Sequence, residues 1–271
     1  MVSLGLNQNT CKNKDLIEFM DFAQDFQGIE LIFENIEKYI INNNNIEIRD
    51  ILEYLETYNL DLINILRLED FSLCSDSKFN NEIIPKLKQM LNFCYKLGCY
   101  LITVSPSIES RDIPEWRIIR RTKRKLKEIA KIAYKEDIKV GFEFNNLPNS
   151  SISTLSQAKD VLKPLISQEN LGYIIDTFYL SINMTKIEEL KEIINQIYLF
   201  QISDAKSNFE YKSSDVKEEF RIFPGKGRFD FQKFFKLIKE FGYRDYYSIE
   251  LYQNECTRNI YYRFFEFNKI I

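Results

Sequence analysis

Short apolar runs alternate along this chain with longer segments whose apolar residues recur every three or four positions. The first pattern fits buried strands and the second fits helices with one apolar face. Strands are predicted over Val2–Leu6, Gly28–Phe33, Leu60–Leu68, Cys99–Val104, Lys139–Phe144, Leu171–Ile175, Tyr198–Ile202 and Tyr246–Leu251. Helices are predicted between them, over Lys14–Phe26, Ile46–Tyr58, Asn81–Leu97, Glu115–Glu136, Ser153–Leu162, Ile187–Asn195 and Phe229–Phe241, with Glu115–Glu136 the longest. A last helix is predicted over Glu255–Phe267. Gly98 and Gly242 follow their helices where a left-handed C-terminal residue is needed, and Pro164 stops another. Residues 203–228 have no strong period and read as a long functional loop after the seventh strand.

Strands alternating with helices predict a parallel sheet with crossover connections. Eight such units in 271 residues favour closure into a single (β/α)8 TIM barrel spanning residues 1–271, since that fold takes about 250 residues. No G-x-G-x-x-G follows the first strand, which weakens the dinucleotide-binding alternative.

Composition narrows the chemistry. The chain contains no histidine. Ser-His-Asp and Cys-His mechanisms are therefore excluded, as is any zinc site that needs imidazole. The net charge is −3, which gives no electrostatic footprint for nucleic acid. The one dense basic run, Arg117, Arg120, Arg121, Lys123, Arg124, Lys125 and Lys127, lies on a helix that also carries Ile118, Ile119, Leu126 and Ile129, and it reads as a solvated face. The five cysteines are odd in number and match no metal or redox spacing, so buried thiols in a reducing cytoplasm are expected. Neither a signal peptide nor a membrane span is expected.

In a barrel of this kind the site lies at the C-terminal ends of the strands. Glu30, Asn64, Arg67, Glu143, Asn145, Asp176, Gln201 and Glu250 fall at or near such ends. Converging carboxylates repel one another unless a cation neutralises them. With Gln201 the donors would all be oxygen, which suits Mn²⁺ or Mg²⁺ better than Zn²⁺. Glu143 and Glu250 also have a plainer reading, as rim carboxylates paired with Lys or Arg, and Glu30 one as support for the barrel rim.

The segments GFEFNNLPNSSISTLSQAKDVL, ENLGYIIDTFYL, IYLFQISDAK, FRIFPGKGRFDF and FGYRDYYSIELY resemble, in order and spacing, the xylose isomerase-like sugar phosphate isomerase/epimerase superfamily, and within it the inosose (2-keto-myo-inositol) isomerases. The resemblance implies one divalent cation held by Glu143, Asp176, Gln201 and Glu250. It implies that Glu143 and Glu250 are the acid/base pair moving a proton beside a carbonyl, and that Arg221 binds substrate oxygens. Gln201 and Tyr179 stand where the superfamily carries histidines, one on the metal and one on the substrate. Asn145, Tyr179, Asp204 and Trp116 complete the expected substrate-contacting set. Asp204 either orients the metal site or pairs with Lys206, and Trp116 either stacks on a sugar face or packs at the start of the long helix.

The implied function is a metal-dependent isomerase or epimerase acting on a keto-polyol or ketose through an enediolate. The implied partner is a small sugar or cyclitol, with a homo-oligomer as a further option. An inosose-type dehydratase and a catalytically inactive sugar-binding barrel are the alternatives. The multi-zinc DNA-repair branch of the superfamily is excluded because it needs several histidines.

Overall fold

The computed structural model describes residues 3–42, 48–109, 112–165, 167–212 and 214–252. Eight parallel strands close into a barrel. They are β1 (Ser3–Asn7), β2 (Gly28–Ile32), β3 (Asp61–Leu68), β4 (Leu101–Val104), β5 (Lys139–Phe142), β6 (Leu171–Asp176), β7 (Ile197–Ile202) and β10 (Tyr246–Ile249). A separate antiparallel ribbon pairs β8 (Asp204–Ala205) with β9 (Arg221–Ile222). The order around the barrel is β1-β10-β7-β6-β5-β4-β3-β2, so each strand lies beside its neighbour in the chain once the ribbon is set aside.

The two-residue period of a strand explains the barrel interior. Leu101, Ile174 and Leu199 form their own apolar cluster with Ile63, Tyr198 and Tyr246 packed on it. A Cβ on Gly141 would meet Ile174 at 2.6 Å, and one on Gly5 or Gly28 would meet Ile63 at 2.7 Å, so glycines make room for these larger neighbours. Two residues further along their strands stand Asn7, Glu30, Thr103, Glu143, Asp176 and Gln201, and Glu250 joins them two residues beyond Ser248 of β10. The strands therefore carry a buried polar ring directly above a small apolar plug. Each member of that ring is essentially excluded from solvent.

The alternate strand residues face the helices and form the main core. Phe200 of β7 packs on Phe234 at 5.1 Å, Tyr243 at 4.7 Å and Tyr247 at 5.7 Å between ring centroids. This aromatic group docks the helix Phe231–Glu240 and fixes the strands that carry Gln201 and Glu250.

The long helix Glu115–Tyr134 buries Ile118, Thr122, Lys125, Leu126, Ile129, Ala130 and Ala133 at helical spacing. Arg117, Arg120 and Arg124 are left exposed, as expected of a solvated face, but Lys125 of the same run is buried, with its ammonium donating to the Cys74 carbonyl. Gly98 closes Ile84–Leu97 with φ of 69°, the left-handed conformation that glycine adopts without a Cβ penalty.

The structure adds to the expected elements in several places. Helices Phe33–Asn42 and Thr177–Ile182 follow β2 and β6 directly. The helix expected from Asn81 begins with a π-helical turn over Phe79–Ile83 and becomes regular at Ile84; Pro85 cannot donate a backbone hydrogen bond into its first turn. Ile187–Gln196 is 3-10 helical. Residues 203–228 contain the β8–β9 ribbon and a 3-10 turn at Glu218–Phe220.

Cys74, Cys94 and Cys99 are free. Cys11 is buried and disulfide-bonded, so the expectation of free thiols does not extend to it. Among the described residues no helix is long and apolar enough to cross a membrane. Cys256 and the helix expected over 255–267 lie outside the described residues.

Candidate active site

Glu143, Asp176 and Glu250 each offer a carboxylate oxygen, and these oxygens lie within 4.8 Å of one another. The first two follow or end β5 and β6, and Glu250 follows β10, so three strands of one barrel deliver them. Gln201, on β7, is paired in register with Asp176 on β6 and with Ser248 on β10.

Two arginines face this cluster. Arg67 Nη1 is 3.7 Å from Glu143 Oε2, and Arg67 Nη2 is 3.4 Å from Glu250 Oε1. Arg221 Nη1 is 2.5 Å from Asp176 Oδ2, and Arg221 Nη2 is 3.8 Å from Glu250 Oε2. Arg221 is held from behind by Glu218, whose Oε2 accepts from Nε at 2.7 Å. Glu218 Oε1 in turn accepts the Tyr179 hydroxyl at 2.6 Å.

Burial pushes Glu143, Asp176 and Glu30 upward. Glu143 is raised by desolvation, against the pull of Arg67 and with the added repulsion of Glu250 and Asp176. Asp176 is raised by desolvation, opposed by Arg221. Glu30 is raised to about 7 by desolvation and by the charge of Glu250. Burial also acts upward on Glu218, but Arg221 and Arg67 outweigh it and its pKa is lowered. Raised carboxyls in a closed space are the groups that can hold and release protons near neutrality.

The donor set fits a hard divalent cation. Glu143 Oε1, Glu250 Oε2 and Gln201 Oε1 are buried and have no hydrogen-bond partner in the protein. Asp176 uses Oδ1 for the Phe178 N–H at 2.8 Å and Oδ2 for Arg221, but a carboxylate keeps further lone pairs. Buried acceptors without donors are costly, and a cation among them would satisfy all three at once.

The expected site residues are brought together unevenly. Glu143, Asp176, Gln201, Glu250, Arg221 and Tyr179 share the barrel mouth. Asn145, just beyond Glu143, is buried with Oδ1 unpartnered.

Asp204 does neither of the things expected of it. Its Oδ1 accepts the N–H groups of Ala205 at 2.7 Å and Phe229 at 3.1 Å, and its Oδ2 those of Gly225 at 3.1 Å and Gly227 at 2.8 Å. It anchors the Pro224–Gly227 turn through the Gly225 and Gly227 N–H groups, and ties that turn to its own strand at Ala205 and to the start of the helix Phe231–Glu240 at Phe229. Trp116 is 59% exposed. It begins the long helix, with the guanidinium carbons of Arg117 and Arg120 5.3 and 5.5 Å from its ring, rather than meeting the carboxylates.

A cleft of about 180 Å³ opens beside Arg67, lined also by Asn9, Glu34, Glu69 and Tyr252. A larger recess of about 620 Å³ lies among Arg117, Arg120, Arg121, Arg124 and Asp76. None of the carboxylates of the cluster lines that recess.

The family model described as xylose isomerase-like TIM barrel matches residues 23–261. The chain belongs to that family. An inosose isomerase of Bacillus velezensis is 25% identical over 250 residues, covering 91% of this chain and 86% of that protein. An inosose isomerase of Bacillus subtilis is 28% identical over 181 residues, covering 66% of this chain and 64% of that protein. A crystal structure of the IOLI protein with a bound zinc atom superposes with a TM-score of 0.88 at 23% identity, over 99% of this chain and 98% of that one. That likeness supports the xylose isomerase-like fold.

Within this family member, several groups at the site were not among the residues expected from sequence. Asn7 and Asn9 sit at the end of β1 and just beyond it, and Asn9 Nδ2 donates to Glu250 Oε1 at 3.1 Å. Ser105, beyond β4, donates to Glu143 Oε2 at 3.2 Å. Applying the strand-end criterion to β1 and β4 would have found them. Glu218 had no such signal, because it lies in the aperiodic sector and reaches the site only through the ribbon.

Proposed function

We propose that residues 1–271 act as one barrel enzyme that isomerises or epimerises a keto-polyol or ketose of the inosose kind. The observation that carries this reading is the buried set Glu143, Asp176 and Glu250 with the unpartnered Gln201 oxygen, facing two arginines. The inosose isomerase relatives support the substrate class.

Glu143, Asp176, Gln201 and Glu250 would hold one divalent cation. Mn²⁺ or Mg²⁺ is preferred because every donor is oxygen. When bound, the cation supplies positive charge that polarises a substrate carbonyl and favours the enediolate.

The chain's own residues do the rest. Glu143 and Glu250 reach the site from different strands, and their carboxyls serve as the two stations for the proton: one removes it from the carbon beside the carbonyl, the other returns one. The raised pKa of Glu143 matches that work near neutral pH. Arg221 and Arg67 present N–H donors to substrate oxygens and moderate repulsion among the carboxylates. Tyr179 and Asn145 offer neutral polar contacts for hydroxyl groups. Burial of the ring excludes bulk water and strengthens each of these interactions.

A dehydratase of the inosose type would use the same groups to remove a proton and then expel water. The product distinguishes the two.

The test is elemental analysis of natively purified protein, wild type beside Glu143→Gln, followed by NMR of keto-inositols and ketoses after incubation. Near-stoichiometric Mn or Mg in the wild type, reduced in the variant, together with an isomeric product supports the proposal. A dehydrated product shifts it to the dehydratase. No metal uptake from excess Mn²⁺ and no turnover overturns it in favour of a sugar-binding barrel.

A further inference from the structure

Glu30 is fully buried inside the barrel and is ion-paired to no arginine or lysine among the described residues. The Ser248 hydroxyl faces it, and its other partners are amides. Oε1 accepts from Asn7 Nδ2 at 3.0 Å, and Oε2 accepts from Asn64 Nδ2 at 2.8 Å and from Gln201 Nε2 at 2.9 Å. An ionised carboxylate can only accept hydrogen bonds, so an amide meets it through its NH₂ end. The two ends of an amide are almost the same size, and only the surrounding donors and acceptors decide which way it faces. Glu30 makes that decision for three side chains together.

The consequence is clearest at Gln201. With Nε2 committed to Glu30, Oε1 is turned to the other side, where it is buried and has no partner in the protein. The strand neighbour on that level is Asp176. A second arm runs through Asn7, whose Oδ1 accepts the Asn9 N–H at 2.9 Å, while Asn9 Nδ2 donates to Glu250 Oε1 at 3.1 Å. One carboxylate thus orients the Asn7, Asn64 and Gln201 amides, and Asn7 in turn holds the backbone of Asn9, whose side chain meets Glu250.

We propose that Glu30 is a positioning residue: it holds the Gln201 amide with its oxygen toward the cation site, so that a neutral side chain serves as the fourth ligand. The inference rests on the reading that Glu143, Asp176 and Glu250 hold a divalent cation. Without the charge at position 30, the Gln201 amide is free to turn. Its NH₂ would then face the cation and repel it.

The experiment is titration calorimetry of Mn²⁺ into metal-stripped protein, on wild type, Glu30→Gln, Gln201→Ala and the double variant Glu30→Gln/Gln201→Glu. Folding is checked by circular dichroism. Glu30→Gln is expected to weaken Mn²⁺ binding by about 10–100-fold, the usual effect of losing a group that orients a ligand. Gln201→Ala is expected to weaken it at least as much. The double variant is expected to recover most of the affinity, because a carboxylate at 201 has an oxygen at both ends and needs no orientation. A role in folding alone would not produce that recovery.

Wild-type affinity in folded Glu30→Gln, with Gln201→Ala impaired, overturns the role of Glu30 and leaves the metal reading standing. Wild-type affinity in Gln201→Ala removes Gln201 from the ligand set and overturns the inference as well. A wild type that takes up no Mn²⁺ overturns the metal reading itself. If Glu30→Gln does not fold, NMR of the wild type decides. The Gln201 side-chain carbonyl resonance should move on Mg²⁺ addition and its NH₂ protons should stay protected; an unmoved carbonyl overturns the inference.

Discussion

Arg221 Nη1 lies 2.5 Å from Asp176 Oδ2, with both side chains excluded from solvent. Two barrel strands, β6 and β10, and the β8–β9 ribbon meet at this pair, since Arg221 also faces Glu218 and Glu250. Removing the arginine leaves several buried acidic groups without a countercharge. Arg221→Met is expected to destabilise the metal-free protein by about 3–5 kcal/mol. Urea unfolding in the presence of a chelator checks this, and added Mn²⁺ should restore part of the loss.

The pH dependence of the metal-free protein follows from the buried carboxyls. Glu30 has its folded pKa raised from 4.5 to about 7, and Glu143 and Asp176 shift in the same direction. Between those limits the folded state binds more protons than the unfolded state. These groups therefore lower stability as pH rises through that window, and their contribution is best at its acid end. The chelated protein is expected to melt at a lower temperature at about pH 8 than at about pH 5.5. Saturating Mn²⁺ should flatten or reverse that trend, because metal binding favours the ionised ligands. Melting curves at both pH values, with and without metal, measure it.

The turn that supports Arg221 depends on close backbone packing. A Cβ on Gly227 would meet the Ala205 carbonyl oxygen at 2.0 Å and Asp204 Oδ1 at 2.5 Å. Gly227→Ala must push the turn off the Asp204 carboxylate. A loss of about 1–3 kcal/mol is expected, together with a raised KM, because the ribbon that presents Arg221 is displaced. Asp204→Asn should give a milder form of the same defect, since an amide offers one acceptor where four N–H groups converge. Chemical denaturation and steady-state kinetics separate the two effects.

Trp116 gives the opposite expectation. It is 59% exposed at the start of the outer helix. Trp116→Ala should change kcat/KM by less than about twofold, in keeping with surface substitutions away from functional groups. A larger loss would place the tryptophan over the mouth in the working enzyme.

The fold was legible because all eight barrel strands announce themselves as short apolar runs, from Ser3–Asn7 to Tyr246–Ile249. The site was legible to the extent that strand ends index it: Glu143, Asp176 and Gln201 each fall two residues beyond an inward-facing plug or glycine position, and Glu250 directly follows β10. Asp204 was misread because its type and place suit a metal site equally well, and only the N–H groups of Gly225, Gly227 and Phe229, more than twenty residues away, reveal its task. Glu218 was missed for a related reason: it joins the site through a tertiary ribbon whose strands are two residues each. Neither contact leaves a periodic trace in the sequence.

Proton transfer at the carbon beside a carbonyl is the central claim. Its most direct test is proton exchange with solvent, followed by NMR, when Mn²⁺-loaded wild type and Glu143→Gln are incubated with 2-keto-myo-inositol in deuterium oxide. With the wild type, deuterium is expected at the carbon adjacent to the carbonyl and in the isomeric product. Glu143→Gln should be slower by about 10²–10⁴-fold. Conversion without any deuterium, or equal exchange in both proteins, would contradict a carboxylate-borne proton transfer in this barrel.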